Sequence, residues 1–115
     1  MTIETLANAH SERHYEIELE ALEFTSLCPL TGGPDFGRIL IRYVPDASLL
    51  ELKSLRDFLS GYRERRILQE EVVNEVLDAI LTAAAPQFVE VVGDFNARGG
   101  ITTVVTASAG EYPIN

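Results

Sequence analysis

The chain has 115 residues, a length that suits one domain built around a single hydrophobic core. Hydrophobic residues make up 46% of the chain and no long polar tract interrupts them, so the sequence is typical of a globular protein. The 18 acidic residues outnumber the 9 basic ones and give a formal net charge of -9, which repels a phosphate backbone. This balance argues against a protein that binds nucleic acid directly.

The cysteine content and the N-terminus indicate the compartment. A single cysteine cannot form an internal disulfide bond, and the N-terminus lacks the basic start and apolar stretch of a secretory signal. No apolar run approaches the roughly 20 residues that a membrane-spanning helix requires. The sequence therefore predicts a soluble cytoplasmic protein.

Two regions follow one another at the N-terminal end. Residues 1–14 mix small and polar types without a sustained period, which predicts a loosely ordered arm ahead of a single domain over residues 15–115. The first strand of the domain starts at Tyr15, where apolar residues alternate with glutamates. This is the period of a strand with one buried and one exposed face, and the strand is expected to run towards Phe24.

The middle of the chain carries a second strand and two helices. The stretch "RILIRYVPD" is rich in β-branched and aromatic residues, and its proline ends the strand. Ser48 is positioned to cap a first helix, whose apolar residues recur at steps of three and four. A second helix follows the charged "RERR" and is expected to end before Pro86.

Two further strands, "QFVEVVGDF" and "ITTVVTAS", are joined through "NARGG", whose glycines suit a hairpin. The order ββααββ predicts an α+β fold, a four-stranded antiparallel sheet with two helices on one face. The two edge strands of such a sheet are unpaired in a monomer, and an exposed edge pairs readily with another copy. A ring-shaped homo-oligomer is the expected assembly.

The candidate catalytic residues lie in "FTSLCPLTGGPDFG", between the first two strands. Taken alone, Cys28 would be a small buried apolar residue, and "GGPD" would be an ordinary turn with Asp35 as a solvated carboxylate. Together they offer a thiol nucleophile and a carboxylate that can accept and later donate a proton. Cys28 and Asp35 are therefore the predicted catalytic pair.

Charged residues on the two predicted helices are the other candidates. Lys53, Arg56 and Arg63 fall on neighbouring turns of the first helix and form a small cationic patch that Arg98 could join. Such residues often only solvate a helix surface. Glu70 opens the second helix, where a carboxylate favours the helix dipole and could also accept two N–H groups from a purine edge.

Metal and dinucleotide fingerprints are absent from the sequence. The two histidines lie in the N-terminal arm, and no spacing matches a zinc motif. The glycines of "TGGPDFG" do not connect a strand to a helix, as the dinucleotide-binding fingerprint requires. A nicotinamide cofactor would therefore bind in another way.

Four segments in this order resemble the short form of the 7-cyano-7-deazaguanine reductases, the QueF family of nitrile reductases in queuosine biosynthesis, which modifies transfer RNA. "FTSLCPLTGGPDFG" is similar to the family's nucleophile segment, "ELKSLRDF" to its cofactor motif, "EEVVN" to its second-helix motif and "ARGGI" to its glycine hairpin. The resemblance implies the tunnelling fold (T-fold), in which ββααββ subunits close into barrels with active sites between subunits.

The resemblance also implies the chemistry and a role for each site residue. Cys28 would attack the nitrile carbon to form a covalent thioimide, Asp35 would act as general acid and base, and two successive hydrides from NADPH would give the aminomethyl product. Substrate binding is implied for Glu51, Leu52, Gln69 and Glu70, and cofactor binding for Lys53, Ser54, Arg56, Arg98 and Gly99.

One departure from the family pattern bears on the mechanism. Gln69 stands where the family usually has a histidine, and glutamine cannot deliver a proton near neutral pH. Two alternatives stay open: a QueF-like enzyme that adds ammonia to the thioimide and forms an amidine on archaeal transfer RNA, and a non-catalytic relative that binds a purine or serves as a structural ring subunit. The complete "TGGPDFG" and cofactor segments, with the charge of -9, favour the reductase.

Overall fold

The computed structural model describes residues 2–113 of the chain. The elements, in chain order, are β1 (Thr5–Ala7), β2 (Ile17–Leu27), β3 (Pro34–Val44), β4 (Ser48–Leu50), α1 (Leu52–Ser60), α2 (Gln69–Ala84), β5 (Phe88–Arg98) and β6 (Ile101–Gly110). Neither helix within residues 2–113 has the length and apolar character needed to cross a bilayer.

The four long strands form one antiparallel sheet in the order β2-β3-β5-β6. Ile41 on β3 is the register partner of Leu19 on β2 and of Val91 on β5, so these three side chains share one face. Both helices cover this face, because Leu55 of α1 and Val76 of α2 are buried in the same core cluster. The predicted ββααββ core with both helices on one face is confirmed.

The opposite face of the sheet carries charged side chains in ion pairs. Arg38 on β3 lies between two carboxylates, with Glu20 of β2 at 2.8 Å and Asp94 of β5 at 2.6 Å. Arg42, further along the same strand, is paired in the same way with glutamates on either side. A register slip of one residue would bury these charges, so their alternation with the core residues fixes the strand pairing.

The N-terminal segment differs from the predicted loose arm. Thr5–Ala7 pairs antiparallel with Ser48–Leu50, and Ile3 and Asn8 are buried on either side of the strand. The Asn8 side-chain amide donates to the carbonyl oxygen of Asp46 at 2.7 Å. This strand has no local period because its pairing depends on residues far along the chain.

The first helix begins later than predicted. Ser48 lies in β4, and the N-cap is Glu51, whose carboxylate accepts from the backbone N–H of Lys53 at 2.7 Å and of Ser54 at 2.8 Å. A carboxylate satisfies the unpaired N–H groups of the first turn and also suits the positive end of the helix dipole. The prediction of Ser48 as the cap is therefore wrong.

Candidate active site

A tight loop closes the hairpin between β2 and β3 and carries Cys28. The Cys28 N–H donates to the Gly33 carbonyl at 2.8 Å, and the Gly32 N–H donates to the Cys28 carbonyl at 2.9 Å. Gly32 has a φ of +75°, a conformation that glycine adopts without strain. The Arg66 guanidinium covers this glycine, so that a Cβ built on it would lie 2.6 Å from Arg66 Nη2. The loop therefore requires glycine at this position and holds the thiol in place.

The thiol and the carboxylate of the predicted pair meet through an arginine. Arg98 Nη2 donates to Cys28 Sγ at 2.9 Å, and Arg98 Nη1 lies 3.1 Å from Asp35 Oδ1. Cys28 and Asp35 are each 3% exposed, whereas the Arg98 side chain is 45% exposed. The site is a buried thiol and a buried carboxylate bridged by a guanidinium that reaches in from the surface.

The hairpin between β5 and β6 positions this arginine. Its turn consists of Gly99 and Gly100, with φ values of +56° and +80°, and two-residue hairpins require such left-handed backbone. The ladder shifts register between Phe95 and Arg98, which is the signature of a bulge that re-aims a strand end. The "ARGG" segment thus directs Arg98 towards the cysteine loop.

The surroundings of Cys28 stabilise its thiolate. The pKa of Cys28 is lowered from 9.0 to about 6, first by the backbone N–H of Thr31, then by the Thr31 side chain, with smaller contributions from the Leu30 backbone and the Arg98 guanidinium. Burial raises the pKa but is outweighed by these hydrogen bonds. The nucleophilic thiolate is therefore the main form of this residue at neutral pH.

The first turn of α2 lies beside the cysteine loop. The Leu27 N–H donates to the Arg65 carbonyl at 2.9 Å, and the Ile67 N–H donates to the Leu27 carbonyl at 3.0 Å, so the segment before α2 runs along the end of β2. Gln69, which is half-buried, and Glu70, which is exposed, follow directly. No side chain caps α2, which leaves N–H groups of its first turn available for a ligand.

Several side chains of "ELKSLRDF" are used within the chain itself. Glu51 caps α1, and the Ser54 hydroxyl accepts from the Glu4 N–H at 2.8 Å while donating to the Glu51 carbonyl at 3.0 Å. Lys53 Nζ lies 3.1 Å from the Asp57 carboxylate. Glu51 and Ser54 therefore fix the start of α1 against the N-terminal segment.

The start of α1 packs along β2 at a distance from the cysteine. Leu52 and Lys53 line a groove with Leu19 and Ala21 of β2. From Ala21 to Cys28 the chain extends for about 20 Å, at about 3.3 Å per residue of strand. One copy of the chain therefore does not bring the first turn of the cofactor segment to the thiol.

Arg56 and Arg63 line a separate groove between α1 and the bulge in β2, with a volume of about 290 Å³. Arg56 lies 3.8 Å from the Asp57 carboxylate, whereas Arg63 makes no ion pair within the described part of the chain. Two guanidinium groups over one groove are suited to a phosphate group, which arginine binds through paired N–H donors.

Two residues of the site are not among the predicted ones. Thr31 lowers the pKa of Cys28 through its N–H and its side chain, but in the sequence it is one more turn residue. Ser26 is fully buried and is the register partner of Asp35. The alternation of β2, continued to its end, places Ser26 and Cys28 on the same face, and this is the signal that could have identified Ser26.

Comparison with known proteins gives one consistent result. A family model described as "QueF-like protein" matches residues 34–113. A protein of an Anaeromyxobacter species named "NADPH-dependent 7-cyano-7-deazaguanine reductase" is 50% identical over 111 residues, which cover 96% of this chain and 91% of that protein. A protein of the same name from Thermomicrobium roseum is 50% identical over 105 residues, covering 91% of this chain and 82% of its own length.

A solved structure agrees with the family match. The crystal structure of the archaeosine synthase QueF-Like in the apo form superposes with a TM-score of 0.79 at 26% sequence identity, covering 85% of this chain and 96% of that one. The fold is thus the α+β T-fold arrangement that the resemblance implied. On the strength of the family match and of relatives at 50% identity over almost the whole chain, this protein belongs to the QueF family.

Proposed function

We propose that the chain is an NADPH-dependent 7-cyano-7-deazaguanine reductase, which converts the nitrile of 7-cyano-7-deazaguanine to an aminomethyl group in queuosine biosynthesis. The observation that carries the proposal is the contact of Arg98 with both Cys28 Sγ and Asp35 Oδ1, at 2.9 and 3.1 Å, in a chain 50% identical to a reductase of that name. We assign the reaction to the cytoplasm, where a free thiol such as that of Cys28 stays reduced.

Cys28 performs the first step as a thiolate. Its sulfur bonds to the nitrile carbon, one carbon–nitrogen π bond breaks, and the nitrogen takes up one proton. Asp35 passes one proton to that nitrogen, and this proton comes from solvent because Cys28 is already a thiolate at neutral pH, so the sum of thiolate, proton and nitrile is a thioimide. The pKa of Cys28, lowered to about 6, supports this role because the nucleophile is already present at neutral pH.

Arg98 holds the nucleophile and the proton carrier together. Its positive charge favours the Cys28 thiolate, and its Nη1 lies 3.1 Å from Asp35 Oδ1 before substrate arrives. When the thioimide forms, the sulfur loses its negative charge. The guanidinium of Arg98 then loses its charge-assisted contact with Cys28 and keeps only its contact with Asp35. A side chain that is 45% exposed can then turn towards a cofactor phosphate, the role implied by the family resemblance.

Residues at the start of α2 hold the deazapurine. The Glu70 carboxylate can accept two adjacent N–H groups of a purine edge, and the Gln69 amide can both donate and accept. Their position beside the cysteine loop and the free N–H groups of the uncapped helix support this assignment. From a second copy of the chain, Leu52, which is 58% exposed, would offer an apolar contact to the ring, and Glu51, the N-cap of α1, would hold Leu52 in place.

NADPH, when bound, supplies the two hydrides that reduce the substrate. The chain fits such a group, because Arg56 and Arg63 line one groove of about 290 Å³ and Lys53 lies a turn away on the same helix. Lys53 and Arg56 would hold phosphate groups there. Ser54 keeps the first turn of α1 in place for them, and Gly99 allows a close approach of the hairpin because nothing lies within 4 Å of the position of its missing Cβ.

We further propose that a second copy of the chain completes each active site in a homo-oligomeric ring. The groove at Lys53 and the thiol of Cys28 lie about 20 Å apart along one strand of the same copy. Both edges of the sheet, β2 and β6, have a free side, and on β6 Ile101 and Val104 are 70% and 62% exposed. Exposed edges with apolar side chains favour pairing between copies.

An ammonia-adding enzyme is the second candidate. It would use the same Cys28 thioimide, and the fold similarity to an archaeosine synthase favours it. The reductase is preferred because identity to that synthase is 26%, against 50% to reductases. Arg56 and Arg63 also offer two guanidinium groups to a cofactor phosphate, at a groove that Glu20 and Glu23 line as well. A non-catalytic purine-binding protein is the third possibility, and it has no use for an activated thiol.

The test mixes the protein with 7-cyano-7-deazaguanine and NADPH and, in a second arm, with ammonia in place of NADPH. Mass spectrometry of the small molecules should find the aminomethyl product in the first arm and no amidine in the second. Cys28→Ala should abolish product, whereas Arg13→Ala, at an exposed site in the N-terminal segment, should not alter it. Amidine in the second arm would select the ammonia-adding enzyme, and unmodified Cys28 in both arms would select the non-catalytic protein.

A further inference from the structure

Ser26 and Asp35 lie opposite each other in the ladder between β2 and β3. Directly opposed residues of an antiparallel pair point to the same face, with Cβ atoms about 4.5–5.5 Å apart. The same alternation puts the side chain of Cys28 on that face, two residues beyond Ser26. The serine hydroxyl therefore lies in the row that holds the thiol and the carboxylate.

Both polar groups of this pair are buried without a partner among residues 2–113. Ser26 is 0% exposed and Asp35 is 3% exposed, and in this part of the chain neither Ser26 Oγ nor Asp35 Oδ1 has a hydrogen-bond partner. The Arg98 guanidinium lies 3.1 Å from Oδ1, but its N–H groups do not point at it. Buried hydroxyl and carboxylate oxygens are almost always paired in folded proteins, since leaving them unpaired is unfavourable.

Few other groups can satisfy these atoms. The Thr25 hydroxyl donates to the backbone carbonyl of Asp35 at 2.8 Å and so does not reach its carboxylate. On the far side of Ser26 the row continues with Phe24, which packs edge-on against Phe95 and has no hydrogen-bonding group to offer. The charged groups that face Asp35 are Arg98 and the Cys28 thiolate, and Arg66 lies further out on the loop at Gly32.

We propose that Ser26 is a positioning residue for Asp35: its hydroxyl donates a hydrogen bond to Oδ1 and so leaves the other carboxylate oxygen free to exchange a proton with the substrate nitrogen. A hydroxyl proton rotates freely, and the cross-strand distance lets Oγ reach Oδ1 after a small turn of either side chain. The proposal rests on the proposed function for the role of Asp35, but the contact itself does not depend on catalysis.

A structural role for this serine predicts a different result from a positioning role. If Ser26 only fills space, Ser26→Ala removes an unpaired buried hydroxyl and keeps the shape, so stability should stay equal or rise and the chemistry should not alter. If Ser26 positions Asp35, the same variant should keep its stability but form the Cys28 adduct about tenfold more slowly, because a hydrogen bond to a charged group is lost.

The first measurement is the rate of adduct formation with 7-cyano-7-deazaguanine, without NADPH, by intact mass spectrometry over a pH series. In Ser26→Ala the rate should fall about tenfold at every pH of the series, while the free energy of unfolding stays equal or rises. Ser26→Thr keeps the hydroxyl and should restore the wild-type rate. Thr25→Val, which removes the neighbouring hydroxyl from the backbone carbonyl, is the matched control and should keep the wild-type rate.

Two further measurements separate the possible failures. In an Asp35→Asn background Ser26→Ala should have no added effect on the rate, since coupled residues are non-additive. Carbon-13 NMR of the aspartate carboxyl groups should give a changed chemical shift for Asp35 in Ser26→Ala and the wild-type shift in Thr25→Val, because only the first variant removes a donor to the carboxylate. An unchanged Asp35 chemical shift in Ser26→Ala, or an equal rate loss in both backgrounds, overturns the proposal. A wild-type protein that forms no adduct would instead remove the proposed function, and the NMR comparison would still decide whether Ser26 contacts Asp35.

Discussion

Arg98 donates a hydrogen bond to the sulfur of Cys28 at 2.9 Å, across a separation of 70 residues in the sequence. The contact joins the last hairpin to the loop between β2 and β3. Under the proposed function the same arginine would also hold a cofactor phosphate. The influence of Arg98 on the thiol can be tested through the reactivity of Cys28.

Replacing Arg98 should make Cys28 less reactive without inactivating it. Arg98→Ala removes a positive charge, so the pKa of Cys28 should rise from about 6 and the thiolate fraction at pH 7 should fall. The rise should be small, because Arg98 is exposed and the larger contributions of Thr31 remain. Alkylation by iodoacetamide at pH 7 should therefore slow by a factor of at most about two.

Two comparisons complete this test. Arg98→Lys keeps the charge and should give an intermediate rate, whereas Arg13→Ala should match the wild type. A rate in Arg98→Ala that equals the wild-type rate would mean that the guanidinium does not influence the thiol.

The wild-type chain should itself titrate with a low midpoint. The rate of alkylation should rise with pH and level off above a midpoint of about 6, since only the thiolate reacts. Because the pKa of Cys28 is lower in the folded chain than the ordinary value of 9.0, the ionised thiol stabilises the fold above pH 9, and this contribution is lost as the pH falls through about 6. Cys28→Ser should lack this part of the pH dependence of unfolding. A midpoint near 9 would contradict the described hydrogen bonds at the sulfur.

The cationic side chains of α1 should serve the cofactor and not the thiol. Lys53→Ala combined with Arg56→Ala should raise the KM for NADPH at least about tenfold, since a lost charge-assisted contact typically costs about 1.5 to 3 kcal/mol. Formation of the Cys28 adduct should proceed at the wild-type rate in the same variant. The measurement pairs NADPH oxidation with intact mass spectrometry.

Asp57 provides the matched control for this prediction. Its carboxylate contacts both Lys53 at 3.1 Å and Arg56 at 3.8 Å, so Asp57→Asn frees the two cations without removing them. The KM for NADPH should then stay equal or fall. Unimpaired NADPH oxidation in the double variant would mean that Lys53 and Arg56 do not bind the cofactor and are only solvated on the surface of α1.

Two variants, one without the nucleophile and one with a raised KM for NADPH, should restore activity at a subsaturating NADPH concentration when they assemble together. Cys28→Ala lacks the nucleophile and the Lys53→Ala, Arg56→Ala variant lacks the cofactor contacts. If each site takes these parts from neighbouring copies, random mixing in equal amounts should leave about a quarter of the sites intact. The experiment co-refolds the variants, confirms assembly by light scattering and measures NADPH oxidation. A mixture that assembles but stays inactive would place both parts of the site in one copy.

The long elements of the fold could be predicted because each has its own period. The alternation that starts near Tyr15 and the three-and-four spacing after Glu51 arise within single elements, and the end of α2 before Pro86 follows from the lack of an N–H in proline. The pairing of Thr5–Ala7 with Ser48–Leu50 could not be predicted, because neither segment is long enough to carry a pattern. The cap at Glu51 was hidden for a related reason, since a serine nearby is the commoner cap.

The residues of the candidate active site also divide into those that the sequence could predict and those that it could not. Cys28 and Asp35 could be paired from the sequence because they lie at the two ends of one short loop. The approach of Arg98 and the contribution of Thr31 depend on the bulge at the end of β5 and on the direction of single N–H groups, which residue types do not specify. Ser26 lies between these cases, since its face follows from the alternation but its missing hydrogen bond does not.

The ring of Phe95 limits which substitutions the neighbouring positions can accept. It fills the space beside two glycines, since a Cβ built on Gly37 would lie 3.1 Å from this ring and one built on Gly93 would lie 2.6 Å from it. Neither glycine can gain a side chain without moving the ring, and with it the strands that hold Asp35 and the hairpin of Arg98. Variation near the site is therefore easier at its open rim, at the start of α2, where Gln69 is half-buried and Glu70 is exposed. A library that randomises the rim should retain many folded members, and one that randomises the two glycines should retain almost none.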